Sequence, residues 1–433
     1  MSADATTPGR IGSRVARMAV AVVAGLLAGS PATAGVVRVE PAEGALAAAL
    51  SAARPGDVIE LAPGVFRGPI TIDKALILRG RGGLVDGGDA GTAVRVAAPG
   101  VRIEGLGVRG SGTDIGAPDA CVFVEESATG AVLRENVLED CAFGIWVHRT
   151  DGARLVGNRI RGRDGIRVAD RGNGIHLFDA SNAVVESNVV EGVRDGVYVS
   201  ATEDSLIASN QAHDVRFGIH YMYSWDNTLR GNVTTGNVVG IALMESRNLV
   251  VEANEARDNS RQGLLFRDVQ DSTIRFNQLE RNGNGMFFFS SVDNSIEDNV
   301  VLDNDMGLKV WAGTKRNRVV GNLIRGNREQ VHYVGAEDQI WGAEGRGNRW
   351  GDYLGWDQDG DGVGDRPHRV DSFTAGLLYR YPSAVLLLRS PALETLAHLA
   401  DRLPLLRTPT IVDRAPLVGD AAEALAASPE DAP

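Results

Sequence analysis

An asparagine returns every 22 or 23 residues, with one 30-residue step, at Asn136, Asn158, Asn188, Asn210, Asn232, Asn254, Asn277, Asn299 and Asn322. A glycine followed by an apolar residue keeps phase with it at Gly144, Gly174, Gly196, Gly218, Gly240, Gly263, Gly285 and Gly307. Self-similarity at a fixed period of about 20 to 50 residues is the signature of a solenoid, in which each unit buries its apolar face only against its neighbours.

Each unit has the form Asn-x-x-apolar-x-x-Asn, several polar residues, then Gly-apolar-x-apolar, as in DNTLRGN followed by GIAL at Gly240. The alternation has period two over about four residues, which describes short strands joined at Gly and Asn corners and leaves no room for a helix. Leucine-rich repeats share the length but need a spaced leucine frame that is missing here. The pattern predicts an all-β chain, a right-handed parallel β-helix of about 22-residue coils. Successive coils would lie about 4.8 Å apart, with buried asparagines hydrogen-bonded along the axis. The 30-residue step predicts a loop at about 162–173 overhanging one face. A 433-residue chain fits one such domain, because a solenoid grows linearly. The net charge of −12 argues against nucleic acid as the main partner.

Residues 1–34 read as a signal peptide for the general secretory route. Arg10, Arg14 and Arg17 precede the apolar run at 18–29, and Ala32-Thr33-Ala34 offers a cleavage site. That run is too short to span a bilayer comfortably, so the mature chain is expected in a bacterial periplasm. Residues 35–335 form the β-helix; 42–54 is helix-rich and would cap its first coil. A Trp-rich acidic cap at 336–381, a proline-punctuated apolar segment at 382–418 and a disordered tail at 419–433 complete the order. Cys121 and Cys141 read as buried free thiols or, in an oxidising compartment, as a disulfide across a rung; the thiols are the plainer reading.

In Gly-apolar-x-apolar, positions one and three after the glycine fill the bore, so positions two and four point outward. The outward positions include Trp146 and His148, His176 and Phe178, Tyr198 and Ser200, His220 and Met222, and Ala242 and Met244. A solvated β surface should be charged or threonine-rich, and this one is aromatic, His and Met. His220 and Met222 lie about 7 Å apart along one strand, with Met244 one coil away. Imidazole and thioether are soft donors suited to Cu(I), with His176 and His148 as weaker members of the set. The plain alternative is an apolar docking or glycan-stacking surface.

Asp357, Asp359, Asp361, the Val363 carbonyl and Asp365 occupy positions 1, 3, 5, 7 and 9 of a calcium loop, with Gly362 at position 6. His368 stands where the bidentate Glu belongs; Asp371 is a possible replacement, and a solvated acidic turn is the alternative. A structural Ca²⁺ with the tryptophans packed beneath it is expected. Beyond it, Leu393, Leu396, Leu399 and Leu403 recur on one face of an amphipathic helix with Ser390 as N-cap and Pro391 at N1. Such a helix either caps the last coil or docks on a membrane partner.

NREQVHYVG from Asn327, GRGNRWGDYLGWDQDGDGVGDRPHRVD, PSAVLLLRSP from Pro382, GIHYMYSWDN at Gly218 and ALMES at Ala242 together resemble the NosD family. The likeness covers nearly the whole mature chain. It implies a periplasmic, non-enzymatic accessory protein that supplies copper for maturation of nitrous oxide reductase. The implied partners are an ABC-type permease and ATPase pair, a copper-carrying lipoprotein chaperone and the reductase itself. It also places copper on the segments holding His220, Met222 and Met244, and favours docking for the C-terminal helix. The rival reading is an exported β-helix polysaccharide lyase, hydrolase or epimerase, or a non-catalytic glycan-binding module. An enzyme of that kind needs a carboxylate pair with nearby Arg or Lys, and the outward positions carry no acid.

Overall fold

The computed structural model describes residues 34–342, 345–370, 377, 380–387, 390–400 and 408–419. Residues up to 33, where a signal peptide is expected, together with Asp371, Leu403 and the tail beyond 419, lie outside the described residues.

Residues from Gly35 onward form a parallel β-helix. Three parallel sheets of 13, 12 and 13 strands each take one strand from every coil. The coils that look irregular in sequence before residue 130 pair in the same sheets, so the solenoid begins with Val36–Val39 against Val58–Leu61. The expected N-terminal cap is therefore part strand. Its helix is Ala45–Ala52, shorter than the helix-rich stretch, and it lays Leu46 and Leu50 over the first coil. The 30-residue step is a loop between Arg159–Gly162 and Ile175–Phe178 with one turn of 3₁₀ helix at Val168–Asp170. Arg163 ties it to Asp89 and Asp140, at 3.1 and 2.8 Å.

The asparagines stack as the period requires. Each side-chain amide donates to the next coil's Oδ1, in an unbroken series from Asn136 through Asn322 to Asn348 at 2.8–3.0 Å. Each Oδ1 also takes the backbone N–H of the preceding asparagine, and each Nδ2 a second carbonyl, as Asn210 does with Val185. Buried amides cost little only when satisfied in this way. At the last coil the acceptor is not an amide: Asp413 Oδ2 takes the Asn348 side chain at 3.0 Å, its backbone N–H at 2.7 Å and the Trp350 indole at 2.9 Å. A second series runs from Asn259 through Asn282 and Asn304 to Asn327, unnoticed in the sequence because it starts later.

Left-handed backbone falls on the residue before each ladder asparagine from Asn136 to Asn322, including Glu135, Ser187, Ser209, Ala253 and Phe276, rather than on the asparagine itself. The repeat glycines are needed for a different reason. A Cβ on Gly196 would sit 2.4 Å from the Gly218 carbonyl, and one on Gly218 2.6 Å from that of Gly240. Cys121 and Cys141 are joined by a disulfide, Cα to Cα 5.5 Å, which corrects the thiol reading. The rung spacing brings their Cα atoms within bridging distance.

Candidate functional site

The 12-stranded sheet carries the His/Met face. Its register pairs His176 with Tyr198 and Tyr198 with His220 in one column, and Ser200 with Met222 and Met222 with Met244 in the next. Between these columns Ile175, Leu177, Ile219, Tyr221, Ile241 and Leu243 turn inward and are at most 1% exposed. The parity read from the repeat is therefore right. Exposure is not: His176 and His220 are 7% and 6% exposed, because large neighbours on the same outer face cover them. Met222 and Met244 are half-buried.

The His220 ring is wedged edge-to-face between Tyr198 at 4.9 Å and Phe217 at 4.6 Å. Its Nδ1 lies 3.0 Å from Asp195 Oδ2, and Arg216 grips the same carboxylate with two bonds of 2.8 and 2.6 Å. Burial pushes the Asp195 carboxyl up, but the hydrogen bonds and charges of His220 and Arg216 outweigh it and hold the group below its ordinary range. His220 Nε2 is buried with no hydrogen-bond partner among the described residues.

His176 lies in a different setting. Its ring sits 3.9 Å from Trp146 and 4.7 Å from Tyr198, and its Nδ1 is 3.4 Å from Asn173 Nδ2. Burial drives its pKa down to about 3, so it is neutral at physiological pH. Its Nε2 and the Trp146 Nε1 likewise lack partners among the described residues. Tyr198 separates it from His220. His148 stacks on Phe178 at 5.5 Å, three coils from Met222 in its column, and is not brought to the His220 group.

Asp195 and Arg216 were missed by the outward-position rule. The strand pairing passes over the repeat glycine, going from Asp195 with Phe217 to Val197 with Ile219. Alternation breaks there, and the residue before the glycine reaches the outer face. The dipeptide Asp195-Gly196 one coil before His220 is the signal that was available.

A family model for NosD, described as a periplasmic copper-binding protein, matches residues 156–355, the span that holds all of these groups except Trp146 and His148. The chain is 40% identical over 373 residues to a probable ABC transporter binding protein NosD of Pseudomonas aeruginosa, covering 83% of this chain and 87% of that one. The counterpart in Stutzerimonas stutzeri is 38% identical over 374 residues, with 83% and 86% covered.

The chain belongs to the NosD family.

Among solved structures it is similar to the A-module of an Azotobacter vinelandii mannuronan C-5 epimerase, with a TM-score of 0.58, 16% identity, 71% of this chain and 92% of that one. That likeness shows the β-helix fold alone. No helix among the described residues is long and apolar enough to cross a membrane, and the NosD family is periplasmic by description.

In this NosD chain the acidic loop brings the carboxylates of Asp357, Asp359 and Asp361 within 4.8 Å of one another. Gly360 and Gly362, both at positive φ, make the sharp turn. The Asp361 backbone N–H holds the Asp359 carboxyl down, but the charge of Asp361, burial and the neighbouring carboxylates together raise it. Asp365 does not join the three; its Oδ2 accepts from the Gln358 backbone N–H at 2.7 Å. Val363 donates its N–H to Asp361 and bridges to Leu417. Trp341 and Trp350 are buried and stacked at 6.1 Å, whereas Trp356 is 49% exposed under Arg366 and does not pack beneath the loop.

The C-terminal helix is Pro391–Ala400, and the Ser390 hydroxyl accepts from the Leu393 N–H as an N-cap. Leu396 and Leu399 are exposed, but Leu393 is buried and cannot face a partner in this conformation. The chain then returns as the strand Ile411–Asp413 between Gln339–Trp341 and His368–Arg369. The apolar segment beyond 382 is thus part of the solenoid's closure as well as a helix.

Proposed function

We propose that this chain handles copper for the maturation of nitrous oxide reductase, working with an ABC-type permease and ATPase pair and taking the metal from a copper-carrying lipoprotein. The observation that carries the reading is the bare, buried Nε2 of His220 beside the paired thioethers of Met222 and Met244 on one face. One imidazole and two thioethers suit Cu(I), and half-exposed methionines suit a metal that must arrive and leave. Membership of a family described as copper-binding supports it, as do relatives named for an ABC transporter. A non-catalytic role is part of the proposal: Asp195, the acid on this face, is committed to Arg216 and His220 rather than set opposite a second carboxylate.

The test is an anaerobic Cu(I) titration of the mature protein against a competing chelator. Met222→Ala with Met244→Ala should weaken binding at least tenfold, about 1.4 kcal/mol, and cells carrying it should make copper-poor reductase. Wild-type affinity in either this variant or His220→Gln would remove the reading.

The proposal also gives the acidic loop a structural Ca²⁺, since carboxylates at this density repel unless a cation neutralises them. A melting temperature that is the same in excess Ca²⁺ and in EGTA would eliminate that part. Leu396 and Leu399 are the proposed contact with the permease. Deleting the chain after residue 381 would also remove Asp413, so Leu396→Asp with Leu399→Asp is the cleaner variant. Undiminished co-purification with the permease would leave the helix as a cap.

A further inference from the structure

We infer that Asp195, clamped by Arg216, is the positioning residue that fixes the tautomer of His220 and keeps its Nε2 lone pair free for the metal. The inference rests on the copper reading and deepens it. Asp195 is 1% exposed, and both of its oxygens are engaged: Oδ1 by Arg216 Nε at 2.8 Å, Oδ2 by Arg216 Nη2 at 2.6 Å and by His220 Nδ1 at 3.0 Å. An ionised carboxylate can only accept, so His220 Nδ1 must be the donor. In a neutral imidazole the other nitrogen then carries the lone pair. That nitrogen is the one left without a partner among the described residues, with Tyr198 and Phe217 holding the ring plane. A carboxylate behind a ligating imidazole orients it and raises its basicity, and such outer partners are worth about 10–100-fold in metal affinity.

The other buried histidine on this face shows what the arrangement adds. His176 Nδ1 faces the Asn173 amide nitrogen, which donates, so Nδ1 accepts and the proton sits on Nε2. Two histidines two coils apart in one column therefore carry opposite tautomers, and only His220 presents a lone pair to a cation. Arg216 is the second half of the device. It sits four residues before His220 in the chain and spans back one coil to Asp195, so the coil that supplies the ligand also supplies the clamp on its orienting group.

The experiment uses the full mature chain labelled with ¹⁵N-histidine. In the metal-free protein a long-range ¹H–¹⁵N spectrum should show His220 protonated at Nδ1 and bare at Nε2, and Cu(I) should move the Nε2 resonance. Asp195→Leu, which keeps the branched shape but offers no acceptor, should lose the single tautomer and bind Cu(I) about 10–100-fold more weakly. A wild-type His220 protonated at Nε2 overturns the inference without any variant, even if Asp195→Leu fails to fold. Wild-type affinity in Asp195→Leu, with binding lost in His220→Gln, overturns it and leaves the copper reading standing. Wild-type affinity in His220→Gln removes the copper reading itself, while the metal-free spectrum still reports whether Asp195 sets the tautomer.

Discussion

The inner and outer columns of the 12-stranded sheet are built on the same strands and differ by one residue of offset, yet they obey different chemistry. Inward, Ile219 stacks on Ile241 and Tyr221 on Leu243, all sealed from water. Outward, His220 and Ala242 are just as thoroughly covered, while Met222 and Met244 stay half-buried. Burial on the inside comes from the coil closing on itself. On the outside it comes from aromatic neighbours that enclose the His220 ring, and on both faces a polar atom stays unanswered among the described residues, the Tyr221 hydroxyl inside and His220 Nε2 outside. The difference separates what a strand's parity dictates, namely the face, from what it leaves open, namely the solvent.

The contrast is tested most severely from the inside. Leu243→Ala should destabilise by about 2–5 kcal/mol, because removed methyl groups leave a cavity that two rigid neighbouring coils cannot close. A loss below about 1 kcal/mol in chemical denaturation would mean the bore repacks.

The next effect belongs to the covered outer face and depends on pH. His176 has a folded pKa of about 3 against 6.5 for the unfolded chain, so the unfolded state binds the extra proton. The contribution is intact above pH 6.5 and is lost as pH falls below it, by up to about 1.4 kcal/mol per unit, or about 2 kcal/mol at pH 5. Over that window His176→Leu should lose less stability than wild type does. Parallel wild-type and variant slopes would show that His176 is hydrated in solution.

The smallest effect should come from the half-buried column. The variant combining Met222→Ala and Met244→Ala should cost below about 2 kcal/mol in thermal or denaturant unfolding, less than Leu243→Ala alone despite removing two side chains. A larger loss would make the outer methionines structural and erase the distinction between the faces.

The fold was legible because its determinants are periodic. The Asn series gave coil length and axis, and the glycine series gave strand phase; both follow from contacts each coil repeats with the next. The site was only half legible. Parity placed His220, Met222 and Met244 on one side, but Asp195 reaches that side through a break in alternation at the repeat glycine, where close approach to the next carbonyl forbids a side chain, and Arg216 stands ahead of the strand that begins at Phe217. The burial of His220 depends on Phe217 and Tyr198 together, a matter of ring volumes on adjacent coils rather than of spacing. The disulfide escaped because Cys121 sits in a coil whose repeat is degenerate, and the exposure of Trp356 because the cap follows no period.

The asparagine ladder ends on Asp413, which stands 65 residues beyond the amide it receives. During synthesis the coils emerge in order and each can answer the one before it, but Asn348 must wait for a residue 65 positions further on. Until then the Asn348 backbone N–H, the Trp350 indole and one of the two Asn348 amide hydrogens lack this acceptor, each worth about 1–3 kcal/mol if buried that way, while the other amide hydrogen has the Val319 carbonyl. A chain cut short before residue 413 would carry an unfinished end that water, a chaperone or a protease can recognise. The carboxylate of Asp413 thus closes the ladder only after the coils that lean on it have been made.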